Sequence, residues 1–500
     1  MKYHLIQLGC QMNISDGERI RTVIESLGYE PTEREEEANL LGIVACSVRQ
    51  KAIDKVYSKI HAWNLAKHQR SLLTFISGCI LPADKVKFLK LFDLVFHMAE
   101  LPQLPDLIRQ YGVVTPAAVA AAEEATYESF PGACEGRETA SPAAPGIAVA
   151  LSRPARSGAI PPESKLDSLS GFWKIAPHYS SRSEAYVPIQ NGCDKFCTFC
   201  AVPYTRGREV SRPSEEILAE VRSLVEQGYK SITLLGQNVN SYGLDRRGAE
   251  RSFARLLRAV GEIGIETGRD FWTYFTSPHP RDMTDEVLEV IAEYPVLAKQ
   301  IHLPIQSGDD KVLIRMNRNY RFDQYRSVVE SIRRILPEAT LFTDIIVGFS
   351  GESEEQFERT RAAMRLFQYH MAYIAIYSPR PGAASARWED DVPHEEKKRR
   401  LHELQDELQA ISLRHNQALV GRTVRVLVSG RDRLSGHLSG RTEGKIIVRF
   451  PSDDESLIGR FVGVTISSAA EMAVAGELVA DNMSPVDGRG ASAEVAAVER

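Results

Sequence analysis

The chain is short of cysteine, of any excess of one charge and of long apolar runs, and each shortage removes a class of protein. Seven cysteines in 500 residues are too few for the disulfide framework of a small secreted scaffold. Lysine and arginine number 61 against 66 acidic residues, a net charge of −5. The chain as a whole is therefore no polyanion binder, and any nucleic-acid contact needs a local basic patch. No uninterrupted apolar stretch approaches the ~18 residues of a membrane span. The opening Met-Lys-Tyr-His-Leu-Ile-Gln-Leu-Gly-Cys has neither a long apolar core nor a small-residue cleavage site. A secreted or integral membrane protein is not expected, and a reducing, cytoplasmic setting is. What is present is 43% apolar and 25% charged residues, ample for buried cores. At about 100–200 residues per domain the prior is about three domains.

Residues 1–111 alternate apolar runs with helical patterns. Residues 2–8 run into Gly9-Cys10, residues 40–45 into Cys46, and residues 72–77 into Gly78-Cys79. Helical patterns fill 15–27, closed by Gly28, and 48–63. Strand, loop and helix in repetition predict a parallel, Rossmann-like α/β domain. In open parallel sheets ligands gather outside the carboxyl ends of the strands, so the three cysteines could converge. Residues 112–183 hold eight of the 25 prolines with runs of Ala and Ser, the composition of a linker or insertion, near whose end Phe172-Trp173 could dock locally. Over 184–416 the alternation returns, with strands expected at 186–190, 231–235, 271–275, 299–303, 340–347 and 371–377. Six strands with intervening helices predict a partial (β/α)6 barrel. Residues 394–416 read as an amphipathic helix with Leu401, Leu404, Leu408 and Ile411 on one face. Short alternating runs over 417–481 predict a small all-β barrel or sandwich, and 482–500 read as a tail.

The strongest chemical signal is Cys193-x-x-x-Cys197-x-x-Cys200, following a strand and the loop Asn191-Gly192. Three thiolates at this spacing can hold three irons of a cubane and leave the fourth open to a small molecule, whereas an electron-transfer cluster normally has four Cys ligands. A zinc site normally pairs C-x2-C with a second pair or with histidines, and no histidine pair lies nearby.

This motif with its partial barrel resembles the radical S-adenosylmethionine (SAM) superfamily, and further residues narrow the resemblance to its methylthiotransferase family. Gly9-Cys10-Gln11-Met12-Asn13, Cys46-Ser47-Val48-Arg49 and Gly78-Cys79 resemble that family's N-terminal domain. Residues 192–200 followed by Val202-Pro203-Tyr204-Thr205-Arg206-Gly207 resemble its core signature. So do Gly236-Gln237-Asn238-Val239-Asn240, Ser277-Pro278-His279-Pro280, residues 302–308, residues 344–349 and Ser378-Pro379-Arg380-Pro381-Gly382. The C-terminal β segment resembles a TRAM domain, an RNA-binding module, at residues 438–442 and Ile458-Gly459. The contexts of Cys10 and Cys46 are similar to the MiaB-type subgroup, which acts on tRNA carrying N6-isopentenyl (dimethylallyl) adenosine at position 37. Two stretches depart from the family pattern: Val44-Ala45 replaces Asn-Thr, and Ile80-Leu81-Pro82 follows Cys79.

The resemblance implies two [4Fe–4S] clusters, one on Cys193, Cys197 and Cys200 that binds SAM, and a second on Cys10, Cys46 and Cys79 that acts in sulfur insertion. It implies transfer of a methylthio group to adenine C2 by SAM radical chemistry, with tRNA as substrate and an electron donor and a sulfur donor as partners. Sister subgroups act on threonylcarbamoyl-adenosine tRNA or on ribosomal protein S12. An RNA-binding iron–sulfur redox sensor is the alternative of another class, disfavoured because a pure electron carrier gains nothing from an open iron. Gln237, Asn238, Ser307 and Gly348 follow barrel strands, where loop residues suit contact with SAM.

Other features have plainer readings. Cys134 lies in the linker without a cysteine neighbour and reads as an incidental thiol. Arg206, Arg208 and Arg212 could meet the substrate backbone or pair with Glu209. The run 395–400, acids preceding bases, reads as i,i+4 pairs on a helix face rather than an RNA patch. Over 418–478 eight bases stand against seven acids, so RNA binding there requires segregation of the bases onto one face.

The linker reading carries a test. Residues 138–165 lack sustained periodicity, so few tertiary contacts should depend on them. A deletion within this stretch that keeps enough chain to span the flanking domains should retain the thermal midpoint and the activity. Loss of folding would mean that the segment is structured.

Overall fold

The computed structural model describes residues 1–46, 50–111 and 165–479. Ser47-Val48-Arg49, Cys134, residues 138–164 and the tail lie outside the described residues. By its contacts the chain forms two compact units. One comprises residues 1–180, 191–212 and 380–387; the other comprises 181–190, 213–379 and 388–500.

The first unit is built on a five-stranded sheet. Strands β1 (Lys2–Gln7), β2 (Glu30–Pro31), β3 (Leu40–Cys46), β4 (Leu73–Cys79) and β5 (Leu94–Val95) lie in the order β2-β1-β3-β4-β5, and every pair is parallel. This is a doubly wound order whose switch point falls between β1 and β3. β3 and β4 are buried at every residue, as central strands covered on both faces must be. One face packs under Ile20, Ile24, Phe172 and Trp173. The other packs under Val56, Ile60, Trp63 and Phe88.

Helix α1 covers Gln11–Ser26 and begins four residues before the expected 15–27. Cys10 is itself the N-cap, with an extended backbone, so Gln11, Met12 and Asn13 form the first turn of the helix. The linker reading also changes at its end. Lys165–Trp173 is helical, and Phe172 and Trp173 are buried, so their docking is tertiary packing.

The second unit contains six parallel strands in two sheets. Glu184–Pro188, Ser231–Leu235 and Trp272–Phe275 form one, and Gln300–His302, Thr340–Val347 and Met371–Ile376 form the other. A parallel bridge joins them: Thr273 N–H donates to the Val296 carbonyl (2.7 Å) and Ala298 N–H to the Thr273 carbonyl (3.0 Å). The strands thus follow one another in chain order around a partial barrel, as expected. The helix His394–Gln417 buries Leu404, Leu408 and Ile411. The run at its start is more than a solvated face. Lys398 pairs with Glu395 at 2.9 Å, but Arg400 is buried against Glu352 (2.9 Å) and Glu396 (2.7 Å).

Thr423–Arg431, His437–Thr442, Ile447–Pro451, Phe461–Ala469 and Val474–Leu478 close into a small barrel around Val428, Val448, Phe450 and Val464. One of its pairings, Val448 with Val474, is parallel; the rest are antiparallel. This barrel packs on the amino-terminal ends of the partial-barrel strands. Trp272 meets Phe461 edge-on at 4.5 Å. Lys299 N–H donates to Glu443 (2.8 Å), and the Thr340 hydroxyl to the Gly444 carbonyl (2.9 Å).

Helix and sheet of the second unit are joined by a stacked pair of imidazoles, His370 on His415 at 3.9 Å. His370 Nδ1 accepts from Leu341 N–H at 3.1 Å, which requires it neutral there. Burial pushes His370 down to about 3, and His415 and Arg333 add to the effect. The unfolded imidazole protonates near 6.5 and the folded one does not, so stability falls as pH drops from about 6.5 towards 3. At pH 5 the loss relative to pH 7 should be roughly 2 kcal/mol. His370→Gln, which keeps an acceptor, should flatten this dependence in urea unfolding; an unchanged dependence would exclude His370 as its source.

Candidate functional site: two thiol clusters in one unit

The carboxyl ends of β1, β3 and β4 bring three cysteines together. Cys46 and Cys79 are direct partners across adjacent parallel strands, so their side chains leave the same face about 5 Å apart. Cys10 reaches them from the start of α1. A glycine precedes two of the three for steric reasons. Gly9 has φ +128°, and a Cβ on it would lie 2.6 Å from Cys46 Cβ; Gly78 has φ +102°, and a Cβ there would lie 2.5 Å from the Ala45 carbonyl oxygen. Any larger residue would push the cysteine loops apart.

Asn13 ties the three loops. Its side-chain amide donates to the Leu8 carbonyl (3.0 Å) and the Ala45 carbonyl (2.6 Å). Its Oδ1 lies 3.5 Å from Cys10 Sγ and 3.7 Å from Cys79 Sγ. Both departures from the family pattern leave this arrangement intact. Ala45 contributes only its backbone, Leu81 is buried, and Pro82 opens the next helix at a position where its missing N–H costs nothing.

One guanidinium group meets a thiol directly. Arg206 Nε donates to Cys79 Sγ at 2.9 Å, its Nη1 donates to Asn191 Oδ1 at 3.1 Å, and its Nη2 pairs with Asp16. Both members of that ion pair are buried, at 4% and 0% side-chain exposure. Burial alone would lower the Arg206 pKa; Asp16 and Cys79 outweigh it and hold the group charged. Burial pushes the Cys79 thiol up to about 12, opposed by Arg206 and reinforced by Cys46 and Cys10. Arg380 is also close enough to feel Cys46. Thiols this buried need a charge partner to ionise, and the site contains one in hydrogen-bond contact with Cys79.

The segment 191–212 belongs to the same unit and carries the second set. Cys193 N–H donates to the Gly207 carbonyl (3.2 Å) and Cys200 N–H to the Cys197 carbonyl (3.0 Å), folding the loop back on itself. Gly192 has φ +81°, and a Cβ there would lie 2.0 Å from the Arg208 carbonyl oxygen. Ser385 N–H closes the outer side on the Thr198 carbonyl (2.9 Å). Burial pushes Cys193 up to about 12; a hydrogen bond from Lys195 N–H opposes this, and Cys200 and Cys197 add to it. Cys197 and Cys200 are only partly buried. Neither triad is crosslinked, and among the described residues no three His, Cys, Asp or Glu side chains are grouped to hold a single metal ion. The donor set, soft thiols in threes, suits a cluster.

The arginines are sorted by the structure. Arg206 takes Asp16, not Glu209. Arg208 pairs with Asp194 at 2.7 Å and lies over the Phe196 ring. Arg212 is buried.

In the second unit the four expected SAM contacts all lie past carboxyl ends of strands. Gln237 is partly buried. Asn238 is buried, its amide donating to Ser241 (2.7 Å), while its Oδ1 has no partner among the described residues. Ser307 is fully buried; its hydroxyl meets Thr360 (3.3 Å) and accepts from Asp309 N–H. Gly348 N–H donates to Glu352 (2.6 Å), and a Cβ on it would lie 2.3 Å from Lys397 Cγ. Ser307 and Gly348 thus have structural engagements of their own. Of the eight bases in the C-terminal barrel, Arg425 pairs with Asp270, Arg431 with Glu455 and Arg449 with Asp432 (3.1 Å). Lys445 lies 4.3 Å over the Tyr274 ring, and its burial pushes it down to about 8. Arg422, Arg433, Arg441 and Arg460 are exposed.

Asp16, Asn191 and Asn13 were not singled out as site residues from sequence. Asn13 and Arg206 stood inside quoted motifs, but nothing in their spacing told that they face the first cysteines.

Three family models match the chain: the Radical SAM superfamily over residues 187–364, Uncharacterized protein family UPF0004 over 2–98, and the TRAM domain over 417–479. The tRNA-2-methylthio-N(6)-dimethylallyladenosine synthase of Geobacter sulfurreducens is 38% identical over 96% of this chain and 98% of its own length. The enzyme of the same name from Carboxydothermus hydrogenoformans is 36% identical over 95% and 99%. Among solved structures, the radical S-adenosylmethionine methyltransferase TsrM from Kitasatospora setae aligns with a TM-score of 0.44 at 14% identity, covering 88% of this chain and 78% of that one; so distant a likeness adds nothing to the fold argument. With three domain matches along the chain and relatives aligned almost end to end, the chain belongs to the tRNA-2-methylthio-N(6)-dimethylallyladenosine synthase family of radical SAM enzymes.

Proposed function

We propose that this chain places a methylthio group on C2 of N6-(dimethylallyl)adenosine at position 37 of tRNA, using two [4Fe–4S] clusters. The observation that carries the reading is the pair of cysteine triads within one compact unit, one of them at the ends of three parallel strands. Cys193, Cys197 and Cys200 would hold the cluster that binds SAM; Cys10, Cys46 and Cys79 would hold the second. When bound, the first cluster supplies an electron that cleaves SAM to a radical able to abstract hydrogen from adenine C2, and the second supplies sulfur.

The chain's own residues do the rest. Gly9, Gly78 and Gly192 let the cysteine loops approach. Asn13 fixes the spacing of the first triad, and Arg206 offsets the negative charge that thiolates bring into a buried site. Gln237 and Asn238 would contact SAM; Asn238 Oδ1 is buried with no partner among the described residues, and a buried acceptor is costly to leave unmade. The exposed Arg422, Arg433, Arg441 and Arg460 offer the C-terminal barrel to RNA phosphates, and binding that uses them should weaken as salt rises. The division at 111, 183, 416 and 481, a cytoplasmic location, and separate electron and sulfur donors belong to the same reading. So does the choice of substrate over threonylcarbamoyl-adenosine tRNA or ribosomal protein S12, to which the names of the relatives give no support. A redox sensor would leave the open iron without a use.

Two measurements test the assignment. The triple replacement of Cys193, Cys197 and Cys200 by Ala should leave about half the iron of the reconstituted wild-type chain. Loss of no iron, or of only one or two atoms, would defeat it. Cys46→Ala should still form 5′-deoxyadenosine from SAM under reductant, at reduced rate, while forming no 2-methylthio product on isopentenylated tRNA. Product at near wild-type yield would remove Cys46 from sulfur insertion.

A further inference from the structure

Arg206 occupies an unusual position for a residue of the signature that follows the Cys193 loop. Its guanidinium lies against Cys79, 127 residues earlier in the chain. Each of its three nitrogens has a distinct partner: Nε the Cys79 sulfur, Nη1 the Asn191 amide oxygen, and Nη2 the Asp16 carboxylate. Asn191 also grips the Arg206 backbone, its amide donating to the Arg206 carbonyl at 3.0 Å. Both charges of the Arg206–Asp16 pair are buried. Such a pair is weak grounds for stability, since desolvation offsets its attraction, so its aim at a sulfur calls for another account.

We propose that Arg206 is a positioning residue for the second cluster, holding the Cys79 thiolate by a charge-assisted hydrogen bond and raising that cluster's reduction potential, with Asp16 as the counter-charge that limits the rise. The inference rests on the reading that Cys10, Cys46 and Cys79 carry a cluster. A hydrogen bond to a ligating sulfur and a nearby cation both favour the reduced, more negative state, which is how a protein tunes such a centre without changing its ligands. Planarity matters: a guanidinium can meet carboxylate, amide and thiolate in one plane, and an ammonium cannot. Because Arg206 lies six residues beyond Cys200, it also ties the segment bearing one triad to the sulfur of the other.

The test uses the full chain with Cys193, Cys197 and Cys200 replaced by Ala, so that only the second site binds iron. After anaerobic reconstitution with iron and sulfide, iron content is measured and the potential is read by electron paramagnetic resonance during a redox titration. R206Q should retain iron and titrate at a more negative potential than the parent. R206K should recover part of the shift, and D16N should move the opposite way, to a more positive potential. R206Q loaded and titrating with the parent would overturn the proposal. Where R206Q fails to fold or to load, D16N carries the test, and a D16N potential equal to the parent's overturns it. A parent that takes up no iron would instead overturn the second-cluster reading, a result distinct from either.

Discussion

The first site depends on register. Parallel strands β3 and β4 pair residue for residue from Leu40 with Leu73 to Cys46 with Cys79, so both strands deliver a cysteine at the same level and on the same face. A slip of one residue would turn one thiol to the other side of the sheet. Every residue of the two strands is inside, as in central strands covered on both faces. The helices that cover the sheet therefore hold the strand ends on which the site is built. Only α1 contributes directly, through Cys10 at its cap and Asn13 and Asp16 on its first turns.

Much of this was legible from residue order. Apolar runs ending in cysteine, separated by helical patterns, are the signature of a parallel sheet, and the rule that ligands collect at the carboxyl ends of strands was enough to expect convergence of Cys10, Cys46 and Cys79. The six barrel strands were found within a residue or two because each is a short β-rich run bounded by turn residues. Boundaries failed at a helix cap. Cys10 caps α1 three residues past the end of β1, so α1 began earlier than its periodicity implied. The helix Lys165–Trp173 was lost in a proline-rich context because its one strong signal, Phe172-Trp173, is too short to show a period.

Charge partners were the least legible, for a physical reason. Hydrophobic pattern reports which face of an element is buried, but not which distant charge shares the burial. Arg206, Arg208 and Arg212 are alike in sequence and differ in the structure: one meets Asp16 and a thiol, one meets Asp194 at the surface, and one is buried. Same-helix spacing likewise described Lys398 with Glu395 and Arg400 with Glu396, but not the buried partner of Arg400, Glu352, which comes from another element. Local rules account for pairs made along one helix, and tertiary packing decides the rest.

The same sorting applies to the C-terminal barrel, where composition alone was uninformative. Eight bases against seven acids permits either a neutral surface or a basic face. Arg425, Arg431 and Arg449 are engaged in ion pairs, and Lys445 is drawn over an aromatic ring at the seam with the SAM barrel. Arg422, Arg433, Arg441 and Arg460 are exposed, and Arg431 and Arg449 are exposed although they are in ion pairs. Arg425 and Lys445 therefore belong to the joint that holds the small barrel on the amino-terminal ends of the strands, with Glu443, Trp272 and Phe461. Removing them should loosen the joint before it weakens any contact with phosphate. The exposed arginines belong to the surface, where a lost charge acts through long-range attraction and is screened by salt. A basic residue in this domain thus affects RNA by one of two routes, and the salt dependence of binding separates them: a surface arginine lowers the slope, whereas a joint residue changes affinity with the slope unaltered.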